Sequence, residues 1–297
     1  MSSAAVTLPA HAKVNLLLRV LAREADGFHG LETLFCLVSL ADTLRAERTE
    51  RSGVTLDVDG AELGPVDQNL AVRAANLVLE ATGHRFGVHL TLTKLIPVRA
   101  GLGGGSSDAA AALHAVNHLA HHAIPRHELL QFGARLGSDV PFFVMGIPLA
   151  LGWGRGERLL QLPALPPAHV LLVTPPHGVT TADAYGWVDA ARQSAGRRGA
   201  VALDLDALSR WGDIGRMAGN DFESAVFERL PGVRAAYEAL AGTRPLVCRM
   251  SGSGSTVFAV YRSARDREDA QMMLGRKHGR VDAVETMAGP PAPPVAG

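Results

Sequence analysis

The chain has 297 residues, of which 47% are hydrophobic and 20% charged, so it is long enough for a sizeable core and for two domains. Lys and Arg total 29, as do Asp and Glu, and this zero net charge argues against a general nucleic-acid or membrane-surface binder. Two cysteines argue against a disulfide framework. The N-terminal segment lacks the apolar core of a signal peptide and no run is long enough to span a bilayer, so the expected location is the cytoplasm.

The first half of the chain mixes strand-like and helix-like patterns. Apolar or alternating segments predict strands at 13–22, 31–40, 54–60 and 89–98. Apolar residues at helical spacing predict a helix over 69–82 that stops at Gly83, and another over 126–136. Turn-forming residues predict a turn at 26–30 and a hairpin around 152–157.

A proline-rich segment, LPALPPA (162–168), is the best candidate for a linker, and it predicts domains at 1–163 and 164–288. The second domain is expected to contain strands at 169–176 and 280–286, helices over 180–193 and 265–276, and a strand–glycine turn–strand unit at 245–261. The tail, 289–297, is expected to be disordered. Because strands and helices do not alternate regularly, the predicted fold class is α+β.

One segment, PVRAGLGGGSSDAA (97–110), carries the clearest functional signal. A strand, a run of glycines and an alanine-rich helix follow one another, which is an arrangement that places backbone N–H groups around an anion. No lysine completes an ordinary P-loop, and the glycines are out of register with the dinucleotide fingerprint. The residues therefore predict a phosphate-binding loop of another type, in which Ser106 and Ser107 cap the helix, bind phosphate or reach Mg²⁺.

Three segments together resemble the motifs of the GHMP small-molecule kinases, in the same order: 9–20 (PAHAKVNLLLRV), 97–113 and 250–260 (MSGSGSTVFAV). Four more segments resemble one branch of that family, and they lie at 26–35, 68–78, 136–143 and 218–223. That branch acts on a cytidine diphosphate derivative of methylerythritol in the non-mevalonate isoprenoid precursor pathway. The resemblance implies an N-terminal domain similar to ribosomal protein S5 domain 2, a ferredoxin-like C-terminal domain, and ATP, Mg²⁺ and the small-molecule substrate between them. It implies neither a nucleic-acid nor a membrane partner, and it leaves a weak homodimer open.

By the same resemblance, Asp139 is the general base for the 2-hydroxyl of the substrate, Lys13 assists it, and Asn15 binds the erythritol. Phe28 and Tyr185 would sandwich the cytosine, His29 would bind its edge, and Thr181 would contact the diphosphate. The nucleotide would contact Asn69, Lys94, Pro97, Val98, Arg99, Ala100, Gly101, Leu102, Gly103, Gly104, Gly105, Ser106 and Ser107.

Some of these residues have ordinary structural interpretations as well. Asp139 could begin a helix, Asn69 could cap one, and Lys94 could be a solvated strand lysine. Arg99 departs from the family pattern, which has glycine at this position. Two other functions stay open: a GHMP kinase for a homoserine- or mevalonate-type alcohol, which the segment at 26–35 argues against, and a non-catalytic nucleotide-binding regulator, which the presence of Lys13 and Asp139 argues against.

Overall fold

A computed structural model describes residues 4–23, 27–192, 204–292 and 295–296. In these residues the strands are β1 (Ala5–Arg23), β2 (His29–Thr49), β3 (Val54–Asp59), β4 (Gly87–Thr93), β5 (Leu149–Gly154), β6 (Arg158–Gln161), β7 (His169–Thr174), β8 (Gly219–Asn220), β9 (Val247–Met250), β10 (Val257–Tyr261), β11 (Arg280–Glu285) and β12 (Val295–Ala296). The helices are α1 (Leu70–Ala81), α2 (Gly104–Leu119), α3 (Arg126–Leu136), α4 (Val140–Met145), α5 (Thr181–Arg192), α6 (Trp211–Met217), α7 (Glu223–Arg229), α8 (Pro231–Ala241) and α9 (Ala264–Leu274).

The first sheet is built on the long antiparallel pair β1 and β2 and has the order β12-β1-β2-β4-β3, with β5 and β6 continuing from β2 and β8 parallel to β1. Helices α1 and α2 pack together over it in one core. Small residues at their contact, such as Ala74 and Ala112, are fully buried, which lets the two helices approach closely. The alanines that follow the glycine loop therefore form the surface of α2 that packs in this core.

The second sheet has the antiparallel order β11-β7-β10-β9 and is covered on both faces. Leu171 and Val173 of β7 pack with the apolar residues of α5, α7, α8 and α9. Val170 and Leu172 point the other way, because strand side chains alternate, and share a core with β1 and β2. The two halves of the chain are consequently joined by a continuous apolar layer.

Most predicted elements of the first half are confirmed. The helices predicted over 69–82 and 126–136 are α1 and α3, and the strands predicted at 13–22 and 31–40 are the second half of the longer β1 and the first half of the longer β2. The strand predicted over 89–98 ends earlier, at Thr93, because the backbone N–H groups of Leu95 and Ile96 donate to the carboxylate of Asp42 and leave the ladder. No described helix is long and apolar enough to cross a membrane.

The second half differs from expectation in two places. The elements from α6 to α8 lie in a segment for which the sequence analysis predicts no structure. In the tail, Val295 and Ala296 pair antiparallel with Thr7 and Val6 of β1, which differs from the disordered tail predicted from composition. The domain boundary near 163 stays a prediction, although Leu165 of the proposed linker is buried in the core between the sheets.

Candidate active site

One cleft between the two halves of the chain, with a volume of about 1180 Å³, is lined by every predicted site residue except Ser107. Residues from β1, β2, the loop after β4, the first turn of α2, the turn before α4 and the start of α5 meet there. Ser107 is buried on a different side of α2, where it lines a second cavity. The first cleft is larger than a typical ligand pocket of about 300–1,000 Å³, which suits two bound molecules side by side.

The phosphate loop owes its shape to residues with positive φ. Gly101 and Gly103 have φ of 78° and 74°, and α2 begins at Gly104 directly after them. The first N–H groups of an α-helix have no partner within the helix and attract anions. Arg99 also has a positive φ, of 55°, which explains why glycine fits the family pattern there; its side chain is exposed. The loop has the backbone geometry that phosphate binding needs, and its contact with a nucleotide stays a prediction.

A second glycine turn, 251–254, packs directly against the phosphate loop. The hydroxyl of Ser251 donates to the Gly101 carbonyl at 2.9 Å, and the N–H of Thr256 donates to the Ala100 carbonyl at 3.1 Å. A Cβ atom at Gly101 would lie 2.1 Å from the Ser251 carbonyl oxygen. Glycine at 101 is thus required by both its φ and the close approach of the other turn.

Lys13 and Asp139 meet at the mouth of this loop. The Lys13 Nζ lies 3.4 Å from Asp139 Oδ2 and donates to Asn15 Oδ1 at 2.6 Å. The Lys13 side chain is 4% exposed and that of Asp139 is 32% exposed. Asp139 directly precedes α4, but its side chain caps no described N–H group of that helix. Its carboxylate is therefore available to the cleft, with the Lys13 ammonium group beside it.

Asn15 holds several parts of the site together. Its Oδ1 also accepts from the N–H of Gly252 at 2.9 Å, and its Nδ2 donates to the Thr33 hydroxyl at 2.7 Å. Asn220 donates to the carbonyl of the same Gly252 at 2.8 Å. Asn15 is 2% exposed, so this geometry supports a positioning role for its side chain, and the predicted contact with the erythritol stays a prediction.

Lys94 is buried between two carboxylates. Its Nζ pairs with Asp42 Oδ2 and lies 2.6 Å from Asp108 Oδ2, in the first turns of α2. Burial, with the neighbouring Asp42 carboxylate, raises the pKa of Asp108 to about 7 in spite of Lys94. Because Asp42 also accepts the N–H groups of Leu95 and Ile96, the cluster ties the chain before the phosphate loop to the helix after it.

Five side chains gather at the other end of the cleft. The rings of His29 and Tyr185 stack with centroids 5.1 Å apart and planes 20° apart, and His29 Nε2 lies 2.7 Å from Asp189 Oδ1. Phe28 is 55% exposed, and the Arg155 guanidinium lies 3.9 Å from its ring centroid. Burial, and to a lesser extent the charge of Asp139, raise the pKa of Tyr185 to about 12, so its hydroxyl stays protonated. The predicted residues Phe28, His29 and Tyr185 line the same cleft, with Asp189 and Arg155 as additions.

The two remaining predicted residues have structural partners as well. Asn69 accepts from the N–H of Ala71 at 2.9 Å and caps α1, as its ordinary interpretation requires, while it also lines the cleft. Thr181 begins α5, and its hydroxyl lies 3.5 Å from that of Ser253 in the second glycine turn. Asp42, Asp108, Arg155, Asp189 and Asn220 were missed by the sequence analysis, although the last lies in the family-like segment 218–223.

Comparisons with known proteins agree with this geometry. The model of the GHMP kinases N terminal domain matches residues 69–147, and that of the GHMP kinases C terminal domain matches residues 185–281. A curated 4-diphosphocytidyl-2-C-methyl-D-erythritol kinase from Moorella thermoacetica is 42% identical over 274 residues, which cover 91% of this chain and 94% of that protein. The enzyme of the same name from Solibacter usitatus is 41% identical, over 90% of this chain and 85% of that protein.

Solved structures give the same result. A crystal structure of 4-(cytidine 5'-diphospho)-2C-methyl-D-erythritol kinase aligns with a TM-score of 0.80 and 35% identity, over 95% of this chain and all of that one. Homoserine kinase from Cytophaga hutchinsonii aligns with a TM-score of 0.72 at 20% identity, which shows a shared fold. The chain is a GHMP kinase, with the α+β fold predicted for that family. Within it, the chain belongs to the 4-diphosphocytidyl-2-C-methyl-D-erythritol kinases of isoprenoid biosynthesis.

Proposed function

We propose that this chain transfers a phosphoryl group from ATP to the 2-hydroxyl of 4-diphosphocytidyl-2-C-methyl-D-erythritol, with Asp139 as the general base. The observation that carries the proposal is the pair of Lys13 and Asp139, 3.4 Å apart, at the mouth of a glycine loop that leads into α2. The names of the relatives supply the substrate, and the aromatic end of the cleft supports a substrate that contains a nucleobase.

Each part of the site has a role in phosphoryl transfer. The backbone N–H groups at the start of α2 bind and neutralise phosphate oxygens. The substrate hydroxyl gives its proton to the Asp139 carboxylate as its oxygen attacks the γ-phosphorus of ATP, and the bond from that phosphorus to the bridging oxygen breaks so that ADP leaves. The ammonium group of Lys13, 3.4 Å from the Asp139 carboxylate, lowers the energy of negative charge on the attacking oxygen. Asn15 keeps Lys13 in place through its 2.6 Å hydrogen bond.

Mg²⁺ is part of the proposal because ATP-dependent phosphoryl transfer uses it. In the described parts of the chain, no group of three or more His, Cys, Asp or Glu side chains could hold a metal ion. The residues therefore fit a cation that arrives with ATP and keeps mostly phosphate and water ligands. Ser106, which lines the cleft at the start of α2, is the residue whose hydroxyl would take part. The bound ion would neutralise charge on the phosphates.

The same fold also occurs in kinases of smaller alcohols, so the alternative acceptors need a direct test. ADP formation is measured with the cytidine diphosphate compound, homoserine and mevalonate in parallel, and ³¹P NMR identifies the phosphorylated position. We expect turnover with the cytidine compound alone and a new phosphomonoester at the 2-position. Turnover of homoserine or mevalonate in its place would overturn the proposal. Cytoplasmic location and a weak homodimer stay predictions from the sequence.

A further inference from the structure

The pair of His29 and Asp189 joins the two halves of the chain at the aromatic end of the cleft. His29 is the first residue of β2, and Asp189 lies in the third turn of α5, 160 positions later. Their side chains are 7% and 35% exposed, and Nε2 lies 2.7 Å from Oδ1. Both residues line the cleft, and one face of the His29 ring is covered by Tyr185. A ligand in this part of the cleft therefore meets a histidine whose ring is held in one orientation.

The hydrogen bond also decides which ring nitrogen carries a proton. An ionised carboxylate can only accept hydrogen bonds, so Nε2 of His29 must be the donor to Asp189. In a neutral imidazole the other nitrogen then has no hydrogen and acts as an acceptor. With Nε2 engaged by Asp189, Nδ1 is the ring nitrogen left for a ligand, and it presents a lone pair.

This arrangement distinguishes two pyrimidines that stacking cannot. Aromatic stacking tolerates any base, because every base has a π-face. Cytosine carries an amino group at position 4, which donates hydrogen bonds, whereas uracil carries a carbonyl oxygen there, which accepts them. A lone pair on Nδ1 attracts the amino group and repels the carbonyl oxygen.

We infer that Asp189 is a specificity-determining positioning residue, which selects cytidine over uridine substrates by fixing the His29 tautomer with Nδ1 as the acceptor. The inference rests on the proposed function, because it assumes that the aromatic end of the cleft holds the base. Asp189 acts through His29 and has no part in the transfer of the phosphoryl group. Removal of the Asp189 carboxylate should thus alter the preference for cytosine over uracil more than the rate of the reaction.

The test compares Asp189→Asn with the unmodified enzyme on two substrates, the cytidine diphosphate compound and its uridine analogue, at about pH 8, above the ordinary titration range of histidine. The asparagine amide can donate as well as accept, so His29 can then take the opposite tautomer and offer Nδ1–H to the uracil carbonyl. We expect the ratio of kcat/KM between the cytidine and uridine substrates to fall by about tenfold or more. The KM for ATP should stay unchanged.

This ratio is insensitive to partial unfolding, because an inactive fraction lowers both kcat/KM values equally. Asp183→Asn is the matched control, since it removes the same charge from the same helix at a carboxylate that binds the Thr180 hydroxyl at 2.5 Å. The control should keep the ratio of the unmodified enzyme. An unchanged ratio in Asp189→Asn, or an unmodified enzyme that accepts both substrates equally, would overturn the inference. An unmodified enzyme that phosphorylates neither compound would overturn the proposed function instead.

Discussion

Gly101→Ala tests whether the contact between the two glycine turns shapes the phosphate loop. Gly101 has φ of 78°, and the added Cβ would lie 2.1 Å from the Ser251 carbonyl oxygen. Gly83→Ala is a matched control, because Gly83 has φ of 77° and no described atom within 4 Å of the added Cβ. The two variants share the backbone strain, and they differ in the steric contact.

The expected magnitudes follow from these distances. Left-handed φ costs an L-residue about 1–2 kcal/mol, while loss of glycine freedom in the unfolded chain returns about 0.4–1 kcal/mol, so Gly83→Ala should lose about 1 kcal/mol of unfolding free energy. The contact at Gly101 has backbone on both sides and cannot be relieved by a side-chain rotation. Overpacking of this kind adds about 1–3 kcal/mol, so Gly101→Ala should lose about 2–4 kcal/mol in total.

Urea unfolding gives the two stabilities, and steady-state kinetics give the effect on ATP. Moving the turns apart displaces the N–H groups that bind phosphate, so the KM for ATP should rise about tenfold or more in Gly101→Ala and stay unchanged in Gly83→Ala. Equal losses of stability in the two variants, together with an unchanged KM for ATP, would refute the reasoning.

Three further predictions concern the proposed general base, the aromatic residues and two buried carboxylates. Asp139→Asn should lower kcat by about 10²-fold or more with little change in ATP binding, and near-normal turnover would remove Asp139 as the base. Phe28→Ala and Tyr185→Ala should each raise the KM for the cytidine substrate, since stacking contributes about 1–3 kcal/mol per base. A raised KM for ATP alone would place these two aromatic residues at the ATP site. Burial raises the pKa of both Asp108 and Glu223 to about 7, so the folded state binds more protons than the unfolded state between about pH 4 and 7. Their contribution to stability is therefore greatest at acid pH and is lost as the pH rises toward 7. Urea unfolding at about pH 5 and 8 should show a weaker dependence of stability on pH in Asp108→Asn. The same dependence in the variant would contradict the raised pKa of Asp108.

The elements that the sequence predicts well are those with local signals. Helix α1 follows a capping asparagine, Asn69, and ends just before Gly83, and its apolar residues recur at helical spacing. The phosphate loop is equally local, because its glycines, its positive φ values and the helix after it are adjacent in the chain. Such features need no knowledge of distant residues.

The site residues that the sequence analysis missed are defined by distant partners. Asp42 lies within a long strand and looks like an ordinary polar residue there, yet it binds Lys94, 52 positions later. Asp189 looks like a solvated helix carboxylate until β2 brings His29 to it. Each partner lies on another element, and no local pattern reports a contact of this kind.

The candidate site combines residues from both sides of the proline-rich segment. Asn15, from the first strand, accepts the N–H of Gly252, 237 positions away, and the Lys13 ammonium beside it faces Asp139. Ser251 in turn holds the phosphate loop through the Gly101 carbonyl. Because the second glycine turn, from the other half of the chain, contacts both the phosphate loop and Asn15, which holds Lys13, the proposed catalytic geometry depends on the packing of the two halves. Stability at this junction and turnover should therefore change together. By contrast, the choice between cytosine and uracil should depend on contacts at the far end of the cleft.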